Sequence, residues 1–214
     1  IAGAAVISSA AVKAAADWQS LATSISRTTS LEGKPLEGLM NGLQELRMEM
    51  GLTREGAAAM AQAAGSIGVG QAKFQRGDLE GYKKELVDFV QATQMVSGAF
   101  GMSSEATAEG LGKMGSVVLE NWNQQRKARG EEELSWSQFA MNVGGSIDSL
   151  ANQMGSKEEE IITAMRHVST SVAQYAPTEE TYGKWTALAS YLIETGDTAD
   201  HAGETIKDAM EYIS

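Results

Sequence analysis

The chain has no cysteine, which excludes disulfides, thiolate metal sites, cysteine nucleophiles and thiol redox chemistry together. It has only two prolines, and aromatic residues make up just 6% of it. A sheet protein needs more turn punctuation and more β-branched and aromatic side chains than this, so an all-α fold is expected. No stretch approaches the roughly 18 uninterrupted apolar residues of a membrane span. The nearest candidate is the Ala-rich opening, IAGAAVISSAAVKAAADW, which is broken by Ser8, Ser9, Lys13 and Asp17 and reads instead as an amphipathic helix. Positive charge is scarce too: the formal net charge is −11. Contacts to nucleic acid and anionic lipid are made by clustered Lys and Arg. Here the tightest cluster, Arg126, Lys127 and Arg129, is followed at once by Glu131, Glu132 and Glu133. Neither specific nucleic-acid binding nor membrane contact is expected.

What the chain does have is helical rhythm. Apolar residues recur in steps of three and four at Ile7, Ala11, Ala14, Trp18, Leu21 and Ile25, and again at Leu36, Leu39, Leu43, Leu46 and Met50. The pattern continues through Leu79, Tyr82, Leu86, Phe89, Val96 and Phe100, with Thr93 in the missing beat. It returns at Phe139, Val143, Ile147, Leu150 and Met154, and at Ile161, Met165, Val168, Val172 and Tyr175. Trp185, Leu188 and Leu192, then Ile206, Met210 and Ile213, complete it. Most of the eleven methionines fall on these seams and read as core rather than as an adaptable groove.

Between the rhythms one short device keeps returning: GLTREGA at 51, GMSSEA at 101, GSKEEE at 155, APTEET at 176 and GDTADH at 196. Its glycine can take the left-handed conformation that stops one helix. Its hydroxyl or carboxylate can accept from the free N–H groups that open the next, and an acidic residue favours the positive end of the helix dipole. Thr53, Ser103 or Ser104, Thr178 and Asp197 are the expected caps. Ser135 with Gln138 and Ser156 with Glu159 match the full capping box, and Pro177 is expected in a first turn. Linkers of one or two residues force consecutive helices to turn back and pack together. The expected architecture is a compact array of eight or nine helices, near 3–29, 35–50, 53–66, 78–100, 103–128, 135–154, 157–175, 178–195 and 198–213. Loops are expected at 65–77 and 129–135. A boundary near 28–34 would separate an N-terminal helix, 1–30, from a helical module, 31–214. The first helix, with its continuous seam, is a candidate for self-association. The opening Ile1 suggests an excerpt or processed form of a longer protein.

Chemistry-bearing groups are sparse. Gly65, Gly68 and Gly70 before Lys73 hint at a phosphate loop but lack the Gly-Lys-Ser/Thr ending and the preceding strand, so a flexible inter-helix loop is the better account. The only histidines are His167 and His201; Asp200, His201 and Glu204 can share a helix face but make no complete metal-ligand set. Glu131–Glu133 and Glu158–Glu160 read as loop and first-turn charges, not as a paired-carboxylate hydrolase site. No G-x-S-x-G motif occurs. No catalytic, cofactor-binding or metal-binding residue is assigned, no cofactor is expected, and the chain is not expected to be an enzyme.

The order of the motifs carries more than any one of them. FGMSSEATAEGLGKM at 100–114, followed by 145–210 from GSIDSLANQM to ETIKDAM, resembles the core region of phage tail tape measure proteins. The resemblance runs through a Phe-Gly-Met-Ser-x-Glu-x-Ala-like entry at Phe100 to Ala106, then Ile147, Asp148, Leu150 and Ala151. It continues through Ser156, Glu159, Ile161 or Ile162 and Arg166, then Pro177 to Glu180, Leu192 to Gly196 and His201 to Met210. Upstream, 43–68 is similar to the family's Ala-Met-rich segment. The stretches 69–85 and 119–137 depart from the family pattern. The resemblance implies a structural virion component held in the lumen of the phage tail in several copies. There it would template tail length during assembly and leave ahead of the DNA at infection. Its partners would be other copies of itself, the tail tube protein, tail assembly chaperones and tail-tip or baseplate proteins. The alternative is a cellular helical scaffold or adaptor that offers helix grooves to a partner.

Overall fold

A computed structural model describes residues 2–175 and 178–213, with side chains described except at 2–15, 170, 172–175 and 213. The described residues form ten helices and no strand, as the composition demands: α1 (Ala2–Thr29), α2 (Gly33–Met50), α3 (Arg54–Ile67), α4 (Gln71–Gln75), α5 (Leu79–Phe100), α6 (Ser104–Ala128), α7 (Trp136–Met154), α8 (Glu158–Tyr175), α9 (Glu179–Glu194) and α10 (Ala199–Ile213). The helix without a sequence expectation is α4, which lies inside the stretch expected to be a loop. The five residues of α4 are too few for a periodic signal, and none of them is buried.

The stop-and-restart devices work through local chemistry. The glycines at 51, 101, 155 and 196 all have positive φ, from +64° to +109°. Thr53 accepts from the Gly56 N–H at 3.0 Å, Ser103 from Ala106 at 3.2 Å and Thr178 from Thr181 at 3.1 Å. Ser135 and Gln138 form the expected reciprocal capping box. Two restarts differ from expectation. The Ser156 hydroxyl pairs with Ser190 of α9 at 2.6 Å instead of closing a box with Glu159. At the last restart Thr198 accepts from the His201 N–H at 3.3 Å, while Asp197 pairs with the His201 ring at 2.9 Å. Pro177 lies outside the described residues; its helix opens on the Thr178 cap.

The chain divides into two compact units, residues 1–87 and 88–214, and the division falls inside α5, between Val87 and Asp88. The turn at 30–32 does interrupt the helices, but it does not separate the first helix from its neighbours. In the first unit the C-terminal half of α1 packs on α3: Ser24 donates to Gln62 at 3.0 Å, the Arg54 guanidinium lies 5.8 Å from the centre of the Trp18 ring, and Ile25 is fully buried. The expected seam positions Ile7, Ala11 and Ala14 lie outside the described side chains. Leu39, Leu43, Leu46, Met60 and Leu86 fill the rest of this core. Tyr82 stands at its centre, donating to the Thr29 carbonyl at 3.0 Å and lying 5.2 Å from the Phe74 ring. Burial pushes its phenol up to about 12.

In the second unit α8 is the central element, packed against α6, α9 and α10. Two of its contacts rely on missing side chains. A Cβ on Gly110 of α6 would lie 2.7 Å from Ile162, and one on Gly203 of α10 would lie 2.8 Å from the His167 Cβ and 3.0 Å from the Ala164 carbonyl oxygen. The core contains Phe89, Leu111, Met114, Phe139, Ile147, Ile161, Met165, Val168, Ile206 and Met210. Val172, Tyr175 and Ile213 of the expected seams lie outside the described side chains. Thr93 is fully buried in its seam because its hydroxyl is satisfied within the helix, by the carbonyls of Phe89 and Val90. In α9 the buried face is not the expected Trp185, Leu188 and Leu192. It runs through Tyr182, Thr186, Ala189, Ser190 and Ile193, a stripe in which the small side chains of Thr186, Ala189 and Ser190 allow close packing on its neighbours.

Candidate functional site

Among the described residues of the second unit, three concavities between helices stand out. The first is an open groove of about 390 Å³ between α6 and α8, lined by Lys113, Ser116, Val117, Thr163, Arg166, His167 and Ser169. On α6, Lys113, Ser116 and Val117 share a face; on α8, Thr163, Arg166 and His167 do the same through steps of three and four. The packing of Gly110 against Ile162 brings these two faces together. Around the groove Lys113 pairs with Glu109, and His167 meets Asp200 of α10 at 2.8 Å. Hydrogen bonding from Lys113 and its charge hold the Glu109 carboxyl below its ordinary range, with a smaller contribution from Arg166. Arg166 is exposed and has no hydrogen bond or ion pair among the described residues.

The second is a dent of about 200 Å³ between α7 and α9, lined by Trp122, Asn142, Val143, Ser146, Glu179, Tyr182, Gly183 and Thr186. Beneath it lies an aromatic cluster. Trp122 is 5.5 Å from Phe139 and 5.3 Å from Tyr182, the latter pair edge to face at 79°. The Tyr182 Oη and the Trp122 Nε1 are buried without a hydrogen-bond partner among the described residues. Ser169 is near the phenol, but its hydroxyl donates to the Met165 carbonyl at 2.5 Å, and no bond of ordinary geometry joins the two side chains. Burial pushes the Tyr182 phenol far up. A buried hydroxyl without a partner contributes desolvation cost and no bond. Tyr182→Phe is therefore expected to keep or raise stability, changing it by no more than about 1 kcal/mol. A urea titration showing a loss above about 2 kcal/mol would establish a bond made by that hydroxyl.

The third concavity, about 420 Å³, lies where α6 and α8 begin and is lined by Phe100 to Ser103, Ala106 and Lys157 to Glu159. Glu158, Glu159 and Glu160 are the first-turn acids of α8.

The structure separates the residues weighed for chemistry. Gly65 lies within α3 against Thr28 and Thr29, and Gly70 faces the Tyr82 ring. Lys73 reaches Glu85 at 3.0 Å rather than an open loop. Asp200 turns to His167 on α8, not to its neighbours His201 and Glu204. Both histidines thus pair with carboxylates near the start of α10, Asp197 and Asp200. Among the described residues no group of three or more acidic or histidine side chains could hold a metal ion. The charged stretch 119–137 is bound to itself and to α9. Asn123 exchanges two hydrogen bonds with the Leu134 backbone, Arg126 donates to the Glu132 carbonyl at 2.7 Å and contacts Glu179, and Arg129 grips Glu131. No helix among the described residues is long and apolar enough to cross a membrane. Sequence reasoning did not find the α6–α8 groove: its members are 50 or so positions apart, and no local spacing links Lys113 to Arg166. No known protein family, characterised protein or solved structure matches the chain.

Proposed function

We propose that this chain is a folded helical module of a phage, or phage-like, tail tape measure protein. The observation that carries the reading is the order and spacing of the motifs from Phe100 to Met210. The fold supports its more specific half, that the module is compact. One continuous helix through residues 104–213 would run about 165 Å, whereas the same residues break into five helices and belong to one compact unit. In this reading the module sits in the tail lumen with other copies of itself and meets the tail tube protein, assembly chaperones and tip or baseplate proteins. It helps template tail length and is released at DNA ejection. No catalytic step is assigned to it. The net charge of −11 suits a lumen that DNA later enters, since like charge discourages adhesion.

Mass spectrometry of purified virions tests the assignment. Peptides of this chain are expected in intact tails, in several copies per particle, and are expected to be depleted after DNA ejection. Their absence from tails, with recovery in a cellular complex, would favour the scaffold or adaptor instead.

A further inference from the structure

We propose that the α6–α8 groove is a binding site for a small phosphate-bearing molecule, held by Lys113 and Arg166 with the Thr163 hydroxyl beside them. The inference is independent of the tail assignment. In a chain with so strong an acidic excess, the groove gathers two permanent cations and an imidazole on facing helix surfaces. A tetrahedral oxyanion offers many acceptor lone pairs, and its natural partners are an arginine fork, a lysine point charge and hydroxyl donors. The guanidinium of Arg166 is available for that role, since no hydrogen bond or ion pair occupies it among the described residues.

One anion is already at the edge of the groove, and it shows what the site favours. Glu109 takes the Lys113 ammonium, and its ionised form is stabilised by Lys113 first and by Arg166 as well. Both members of that pair are close to half exposed, at 44% and 48%. Exposed pairs of this kind hold weakly, so a multiply charged anion can displace the carboxylate. Asp200 keeps His167 turned toward α10 and is a second carboxylate close to the groove. Size separates a small ligand from a polymer. About 390 Å³ accommodates a phosphate with an attached group. A nucleic-acid strand needs a continuous basic track, and the acidic surface of this chain repels a polyanion.

The test is isothermal titration of the full 214-residue chain with inorganic phosphate and pyrophosphate, in parallel with a single-stranded oligothymidylate. Saturable one-to-one binding of pyrophosphate is expected, with phosphate weaker. Arg166→Gln and Lys113→Gln should each weaken binding about tenfold, the scale of losing a charged hydrogen-bond donor. Glu109→Gln should tighten it several-fold by removing the internal competitor. All three positions are exposed, and circular dichroism of each variant establishes that it is folded. The inference is overturned by heat that does not saturate, by binding that both cation variants leave unchanged, or by a Glu109→Gln variant that binds less tightly. Oligothymidylate binding tighter than pyrophosphate, with a steep salt dependence, would also overturn it in favour of a nucleic-acid surface.

Discussion

Phe139→Ala is expected to destabilise the second unit by about 3–5 kcal/mol, the usual range for deleting a buried aromatic ring. Phe139 is fully buried and lies 5.5 Å from the Trp122 ring. The site has little capacity to close over the cavity. On the facing helix stands Gly115, where an added Cβ would come within 3.0 Å of the Phe139 ring and 2.7 Å of Trp136. A backbone already that close, with no side chain of its own, has nothing to move into the space, and cavity costs are largest where a site cannot collapse. The edge-to-face Trp122–Tyr182 pair also loses the ring that supports it. Three of the four tryptophans, Trp122, Trp136 and Trp185, belong to the second unit, so tryptophan fluorescence during urea unfolding follows that unit preferentially. The midpoint should fall with an unchanged slope. A loss below about 1 kcal/mol would mean that the ring is not a core element.

Where local chemistry sets the structure, the sequence is readable. The Ser135–Gln138 box, the Thr53, Ser103 and Thr178 caps and the glycine stops all depend on atoms three or four residues apart. Helix seams are legible for a similar reason: a period survives whatever the helix packs against, and Thr93 keeps the beat by bonding to its own helix. What tertiary contacts decide is not legible in this way. Ser156 has the spacing of a box, yet takes a partner 34 residues away. Asp197 and Thr198 are both capping types, and a histidine claims one of them. The face of α9 depends on neighbours that tolerate Thr186 and Ser190 inside, which hydrophobicity alone does not predict. The division between units is invisible because it interrupts no helix: α5 keeps one seam from Leu79 to Phe100 across it. The α6–α8 groove is a product of packing alone.

The largest functional effect is expected from removing a helix pair. Residues 136–175 hold α7 and α8, and with them Phe139, Ile147, Ile161, Met165 and Val168, all buried. Removing α8 takes away the element against which α6, α9 and α10 pack, so the remainder of the unit loses its core rather than shortening smoothly. An extended ruler would behave differently, because each residue of a straight helix contributes a fixed rise and its loss subtracts only that rise.

For the proposed tape measure reading, the most direct test is therefore tail length measured by electron microscopy in phage whose gene for this chain carries an in-frame deletion of the codons for residues 136–175. Loss of tail assembly or of DNA ejection is the expected result. Functional tails shortened by about 60 Å, the rise of the deleted residues in a straight helix, would contradict the account.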